Sequence, residues 1–238
     1  MATSKQIDAV VARFVREHRQ QQAGQVQQLY EWHCPEMTKQ QFWQMMQAAA
    51  TAAMARRGVH RPYLVDDNNR DIILQMWHYV TGSPECRWNV HKGIYLQGAV
   101  GCGKTTLMLA LTEVLQVVTG LAIRTVNAKQ LYKQIQQEGI RSLANKPLLI
   151  DELGREALEV NDFGNKMRPF AELMELRYES GARTFFTSNF RLETLSRGFN
   201  EQGEAIGYGK YIGERIQETT NIVTMPGSSR REKWEDVQ

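Results

Sequence analysis

Apolar positions recur at helical spacing along the first sixty residues. Ile7, Val10, Val11, Phe14 and Val15 fall at i, i+3, i+4, i+7 and i+8, one stripe of an amphipathic helix. Thr3 and Gln6 precede that stripe at capping-box spacing. Val26, Leu29, Tyr30 and Trp32 extend the pattern through a Gln-rich stretch, and Pro35 ends it. Thr38 and Gln41 repeat the capping-box spacing, and Phe42, Met45, Met46, Ala49, Ala53 and Met54 form a second stripe. Gly58 and Pro62 mark its exit. Such helices either pack on a core (or on each other) or form an arm that docks a partner protein, the methionine-rich face giving an adaptable contact.

From about residue 61 the pattern alternates between helix and strand. Asp71 to Val80 has helical spacing, and Gly93 to Gly98 is a short strand running into glycines. Helix is predicted over Lys104 to Val118, strand over Leu121 to Val126, and helix over Ala128 to Glu138. Pro147 to Glu152 reads as a buried strand, and Pro169 to Ser180 as a helix with proline in its first turn. Arg183 to Asn189 is a strand, Tyr211 to Thr219 a helix and Ile222 to Met225 a last strand. This alternation predicts an α/β fold, a parallel sheet with helices on both faces.

Charge divides the chain at the same place. It has 238 residues, with 29 Lys+Arg and 26 Asp+Glu. Seven of those bases and four of those acids lie in residues 1–57, so the rest holds 22 of each and the whole surplus of +3 sits in the N-terminal quarter. The division supports residues 1–60 as a helical docking arm and 61–238 as a charge-balanced second domain, whose composition gives no case for nucleic acid. Three cysteines exclude a disulfide-built scaffold. His33, Cys34, Cys86 and His91 do not complete a zinc spacing. No apolar run has membrane-spanning length and the start lacks a signal-peptide pattern, so a cytoplasmic location without membrane contact is expected.

Three motifs carry chemistry. Gly98-Ala-Val-Gly101-Cys102-Gly103-Lys104-Thr105 matches G-x-x-x-x-G-K-[ST] after a predicted strand and at the start of a helix. The glycines let successive backbone N–H groups curl towards phosphate oxygens, and the helix N-terminus adds its positive end. Cys102 serves as a small residue whose amide matters, and Thr106 continues the helix start. Lys104 is expected to reach the β- and γ-phosphates of ATP, and the Thr105 hydroxyl to ligate Mg2+. Leu148-Leu-Ile-Asp151-Glu152 then delivers two carboxylates to the carboxyl edge of a parallel sheet, where ligands bind. Asp151 is expected to hold Mg2+ and Glu152 to act as general base on the attacking water. Thr184-Phe-Phe-Thr-Ser-Asn189 ends a third strand in an amide that could bond the γ-phosphate or that water.

The segment 93–231 resembles the DnaC/IstB-like branch of AAA+ ATPases. The likeness rests on GAVGCGKTT, LLIDELG, ELMELRYESGARTFFTSNF, YGKYIGERI and NIVTMPGSSRR, about 60% of the chain. It implies a P-loop AAA+ sheet with a short or absent C-terminal lid. It assigns Asn189 as sensor 1, Arg215 as an arginine finger acting across a subunit joint, and Arg230 as a terminal sensor-like arginine on the nucleotide. Arg177 and Arg183 are rivals for the finger. Glu214 and Glu218 flank Arg215, so an exposed ion-pair set is the plain alternative.

By resemblance the chain self-associates and loads a replicative helicase onto single-stranded DNA, gripping the helicase through its arm. A transposition helper, with a transposase as partner, is the alternative within the family. A nucleotide-gated interaction module with little turnover and a small-molecule kinase are the alternatives outside it. Any DNA contact is expected to be sequence-tolerant, with Lys129, Tyr132 and Lys133, or Arg13, Arg16 and Arg19, as its candidates.

Overall fold

Thr38 is a folded N-cap. Its hydroxyl accepts the Gln41 N–H at 3.2 Å, and Gln41 Oε1 accepts the Thr38 N–H at 2.9 Å. The helix it starts, α1 (Lys39–Ala55), buries Phe42, Met46, Ala49, Ala50 and Ala53 along one face. The alanines permit a close approach to the helix that follows the phosphate loop. The computed structural model describes residues 32–162, 164–198, 200 and 206–230. The first predicted stripe, Ile7 to Val15, and Arg13, Arg16 and Arg19 lie outside them.

The remaining elements follow the predicted alternation. They are α2 (Arg70–Thr81), β1 (Gly93–Gly98), α3 (Lys104–Thr119), β2 (Arg124–Asn127), α4 (Leu131–Glu138) and β3 (Leu148–Leu153). Then come β4 (Val160–Asp162), β5 (Asn165–Met167), α5 (Pro169–Ser180), β6 (Thr184–Ser188), α6 (Leu192–Leu195), α7 (Lys210–Thr219) and β7 (Thr220–Met225). Five strands form one sheet in the order β2-β3-β6-β1-β7, every pair parallel. The antiparallel hairpin β4-β5 and the short α6 were not anticipated. Strand β2 starts at Arg124 rather than Leu121, and a 3-10 turn at Ala128–Gln130 precedes α4.

The period of two decides which helices the sheet binds. Ile94 and Leu96 of β1, Leu149 of β3 and Phe185 of β6 face one side, buried with residues of α1, α2 and α3. Tyr95, Leu148, Ile150 and Phe186 face the other, buried with residues of α4, α5, α6 and α7. Helix α1 therefore belongs to the same core as the sheet; the packed reading holds for it. Any separate arm is left to the residues before it. No helix among the described residues is long and apolar enough to cross a membrane.

Strand order places the site. From β1 the chain crosses to the edge strand β2, returns through β3 and β6, and then places β7 on the far side of β1. The carboxyl end of β1 is thus a topological switch point, where a crevice opens above parallel strands.

Candidate nucleotide-binding site

The phosphate loop leaves β1 at that crevice. Gly101 has φ 80° and Gly103 φ 107°, both in the left-handed region that favours glycine. Side chains are excluded for a second reason. A Cβ at Gly101 would lie 2.3 Å from Ser229 Oγ, and one at Gly98 would lie 2.5 Å from Met225 O. The chain after β7 packs directly on the loop.

Lys104 lies under the loop. Its Nζ donates to Gly98 O at 2.9 Å, Ala99 O at 2.7 Å and Asn189 Oδ1 at 2.9 Å. Burial lowers its pKa, opposed by Cys102, Asp151 and Glu152. Asn189 at the end of β6 therefore touches the loop lysine directly. Cys102 is fully buried, as a small loop residue should be.

The acidic pair is organised by two hydroxyls. Thr105 donates to Asp151 Oδ1 at 2.7 Å and Thr187 donates to the same oxygen at 2.6 Å. Thr187 Oγ1 also accepts the Glu152 N–H at 3.0 Å, so one threonine on β6 fixes both acids. Glu152 has φ 61° and is the one non-glycine residue with positive φ among the described residues. The β3-β6 register shifts between Ile150 and Leu153, so the acidic pair sits on a bulge that turns Glu152 off the strand's alternation. Holding such a conformation costs about 1–3 kcal/mol, which the bonds around it must offset. Asn127 Nδ2 reaches Glu152 Oε2 at 3.4 Å from the end of β2.

These groups share one cavity of about 830 Å3, within the usual range for a small-molecule site. Gly101, Gly103, Lys104, Thr105, Thr106, Glu152, Asn189 and Arg230 line it. Asp151, Gly98 and Cys102 support that lining from behind. A hydroxyl and a carboxylate 2.7 Å apart beside a phosphate loop make a hard oxygen donor set that suits Mg2+.

Arg230 is anchored here. Its backbone N–H donates to Gly101 O at 2.9 Å and its guanidinium pairs with Asp66 at 2.7 Å. Burial raises the Asp66 pKa, but the hydrogen bond and charge of Arg230 outweigh it and hold the carboxyl below its usual value. Arg61 donates to Arg230 O at 3.0 Å, and the segment from Arg57 to Leu64 forms the opposite wall. Buried Asn69 shapes that wall by bonding the Tyr63 hydroxyl and Leu64 O, each at 3.1 Å. Sequence reasoning missed Asp66, this wall and the bridging role of Thr187. The Asp66-Asp67-Asn68-Asn69 run was the available signal, and it reads only as a turn.

Arg215 is not in the cavity. It stands on α7 with its guanidinium over Tyr211 at 4.1 Å and over Tyr178 at 4.5 Å. Tyr178 donates to Glu218 at 2.7 Å and Lys210 pairs with Glu214. The flanking acids are thus engaged elsewhere, and Arg215 Nη1 has no hydrogen-bond partner among the described residues. The rival Arg177 is buried, bonding Thr184 Oγ1 and the carbonyls of Leu143, Lys146 and Arg183, and burial pulls its pKa down to about 9. Arg183 is also buried, over the Trp32 ring at 4.3 Å and bonded to the Tyr79 hydroxyl. Lys129 and Lys133 are exposed and Tyr132 is half-buried.

No family model and no curated protein matches the chain. Solved structures do. A protein of Streptococcus pyogenes serotype M3 described as a primosome component aligns with TM-score 0.52 at 21% identity, over 70% of this chain and 84% of that one. DnaI aligns with TM-score 0.52 at 21% identity, over 82% and 95%. A DnaC helicase loader aligns with TM-score 0.49 at 16% identity, over 69% and 93%. The likeness to the first two is one of fold: the chain carries the P-loop AAA+ α/β fold.

Proposed function

We propose that the protein is a DnaC/IstB-like AAA+ ATPase that assists DNA replication by loading a replicative helicase onto single-stranded DNA. The observation that carries the ATPase part is the convergence on one cavity of Lys104 with Asn189, and of Thr105 and Thr187 on Asp151. The replication part rests on the motif resemblance, and the shared fold with a described primosome component agrees with it.

In this reading loop amides and Lys104 bind the β- and γ-phosphates of ATP. Thr105 and Asp151 would hold Mg2+, which would neutralise triphosphate charge. Glu152 takes the proton of the attacking water, and Asn189 orients that water against the γ-phosphate. Arg230 contacts the nucleotide from its own chain. Arg215 reaches the site of a neighbouring copy, where its planar guanidinium stabilises charge on the transferring phosphoryl group. Hydrolysis then depends on self-association.

The residues before α1 grip the helicase, and Lys129 and Lys133 offer exposed charge to the DNA backbone. Glu152→Gln should bind ATP, hydrolyse it poorly and accumulate as a stable complex with the replicative helicase, seen by co-purification. Free exchange of the helicase from the ATP-loaded variant would sink the loader function while leaving the ATP site intact.

A further inference from the structure

Glu156 lies four residues beyond Glu152 on the loop leaving β3, and the hydrolysis just described does not use it. Its Oε2 accepts the Gly154 N–H at 2.9 Å, and its Oε1 receives the hydroxyl of buried Tyr208. A largely desolvated carboxyl is a costly way to hold two loops together, because an apolar pair could pack there without desolvating a charge. What the carboxyl adds is direction and a bond that can be made or broken.

Both ends of this bond lead to functional elements. On one side Glu156 is tied through Gly154 to Glu152, whose carbonyl accepts the Arg155 N–H at 3.2 Å. A Cβ at Gly154 would lie 2.7 Å from the Phe190 ring, so the loop after Glu152 rests on the residue after Asn189. Tyr95 reinforces that junction by donating to Phe190 O at 3.0 Å. On the other side Tyr208 donates its N–H to Leu195 O at 2.7 Å, and Gly209, the N-cap of α7, donates to Arg197 O at 2.8 Å. Helix α7 then lies so close to the α6 turn that a Cβ on Gly213 would meet Ser196 Oγ at 2.0 Å. The start of the helix bearing Arg215 is thus held by the loops that leave the Glu152 and Asn189 strands.

We propose that Glu156 and Tyr208 are positioning residues that couple the state of the nucleotide site at Glu152 to the placement of α7, and so of Arg215 on the outer face. Glu152 is held at positive φ, and a change there as its carboxylate engages substrate turns the following loop and moves the Glu156 carboxyl. Tyr208 passes the shift to the first turn of α7. The coupling rests on the ATP reading of the site.

Hydrogen exchange at the α7 amides, followed in the full chain with and without Mg2+-AMPPNP, tests the proposal when binding is titrated on the same samples. In wild type, nucleotide should slow exchange at Lys210–Thr219 about tenfold, in the range of ordinary coupling between sites. Tyr208→Phe keeps the ring on Phe170. It and Glu156→Ala should bind the nucleotide within about threefold of wild type yet lose that slowing. Glu156→Gln should keep it, because the amide can accept from the Gly154 N–H and donate to the Tyr208 oxygen. Full slowing in Tyr208→Phe and Glu156→Ala overturns the proposal. So does wild type that binds nucleotide with α7 unchanged, and so does joint loss of binding and slowing in both variants, which marks a merely structural role. Absence of nucleotide binding in wild type would overturn the ATP reading itself, and is visible in the titration rather than in exchange.

Discussion

Asp151 and Glu152 are adjacent in sequence and opposite in situation. Asp151 takes two hydroxyls on one oxygen, whereas Glu152 is displaced onto a bulge at positive φ with a single long bond to Asn127. One acid is built to stay, the other to be free for chemistry. Glu156 shows a third use of the same group. Burial pushes its carboxyl above the usual range, against the Tyr208 hydroxyl and the Gly154 and neighbouring backbone N–H groups. The folded pKa therefore lies above the unfolded one. Stability from this group is fully present below the unfolded value of 4.5 and is lost as pH rises through the raised value. Wild type should lose stability relative to Glu156→Gln as pH rises above 4.5 in chemical denaturation, and parallel curves would refute it. Tyr95 and Tyr208 are the titratable side chains facing Glu156, and neither ionises in that window. At this scale the grouping of Lys104, Thr105, Asp151 and Glu152 was legible because spacing within a loop or at a strand end brings them together. Thr187 was not. A threonine on a strand says nothing of which acid it will bond until β3 and β6 are known to be neighbours.

Helix α7 was legible as a helix, but its chemistry was not. The sequence places Glu214 and Glu218 beside Arg215, which makes an exposed ion-pair set the alternative to a finger. The structure instead seats the guanidinium between Tyr178 of α5 and Tyr211, with Tyr178 occupying Glu218. That arrangement needs two elements to meet across 33 positions of sequence, which no local pattern encodes. It leaves a half-buried arginine stacked on two rings. Mixing Arg215→Ala chains with Lys104→Ala chains should restore hydrolysis that neither has alone, because each mixed joint pairs an intact cavity with an intact arginine. No recovery under co-assembling conditions would show that Arg215 does not act across a joint. Boundaries shifted by one to three residues where strand ends meet loops, as for β2, since edge-strand ends are fixed by neighbours. The β4-β5 hairpin had no strong apolar alternation to announce it.

Across the whole molecule, the charge division at residue 57 did not coincide with a structural one. Thr38 to Ala55 carries Met45, Met46 and Met54 of the expected arm, yet Phe42, Met46, Ala49 and Ala50 are buried with the sheet's own residues. Helical periodicity shows which face of a helix is apolar; it does not show what covers it. A chain beginning at Trp32 should therefore fold and bind nucleotide like the full chain while losing its protein partner. A chain beginning at Arg57 should lose several kcal/mol, at about 1.5–3 kcal/mol for each large apolar side chain removed from the core. Thermal melts of the two chains with a nucleotide titration check both, and equal stability of the shorter chain would contradict the shared core. The central claim is that one cavity binds ATP and that Glu152 turns it over. ATP hydrolysis measured alongside equilibrium ATP binding, for wild type, Glu152→Gln and Lys104→Ala, tests it most directly. The account predicts that Glu152→Gln binds normally and hydrolyses about a hundredfold or more slowly, and that Lys104→Ala fails to bind. Wild-type turnover in Glu152→Gln, or wild-type binding in Lys104→Ala, would contradict it.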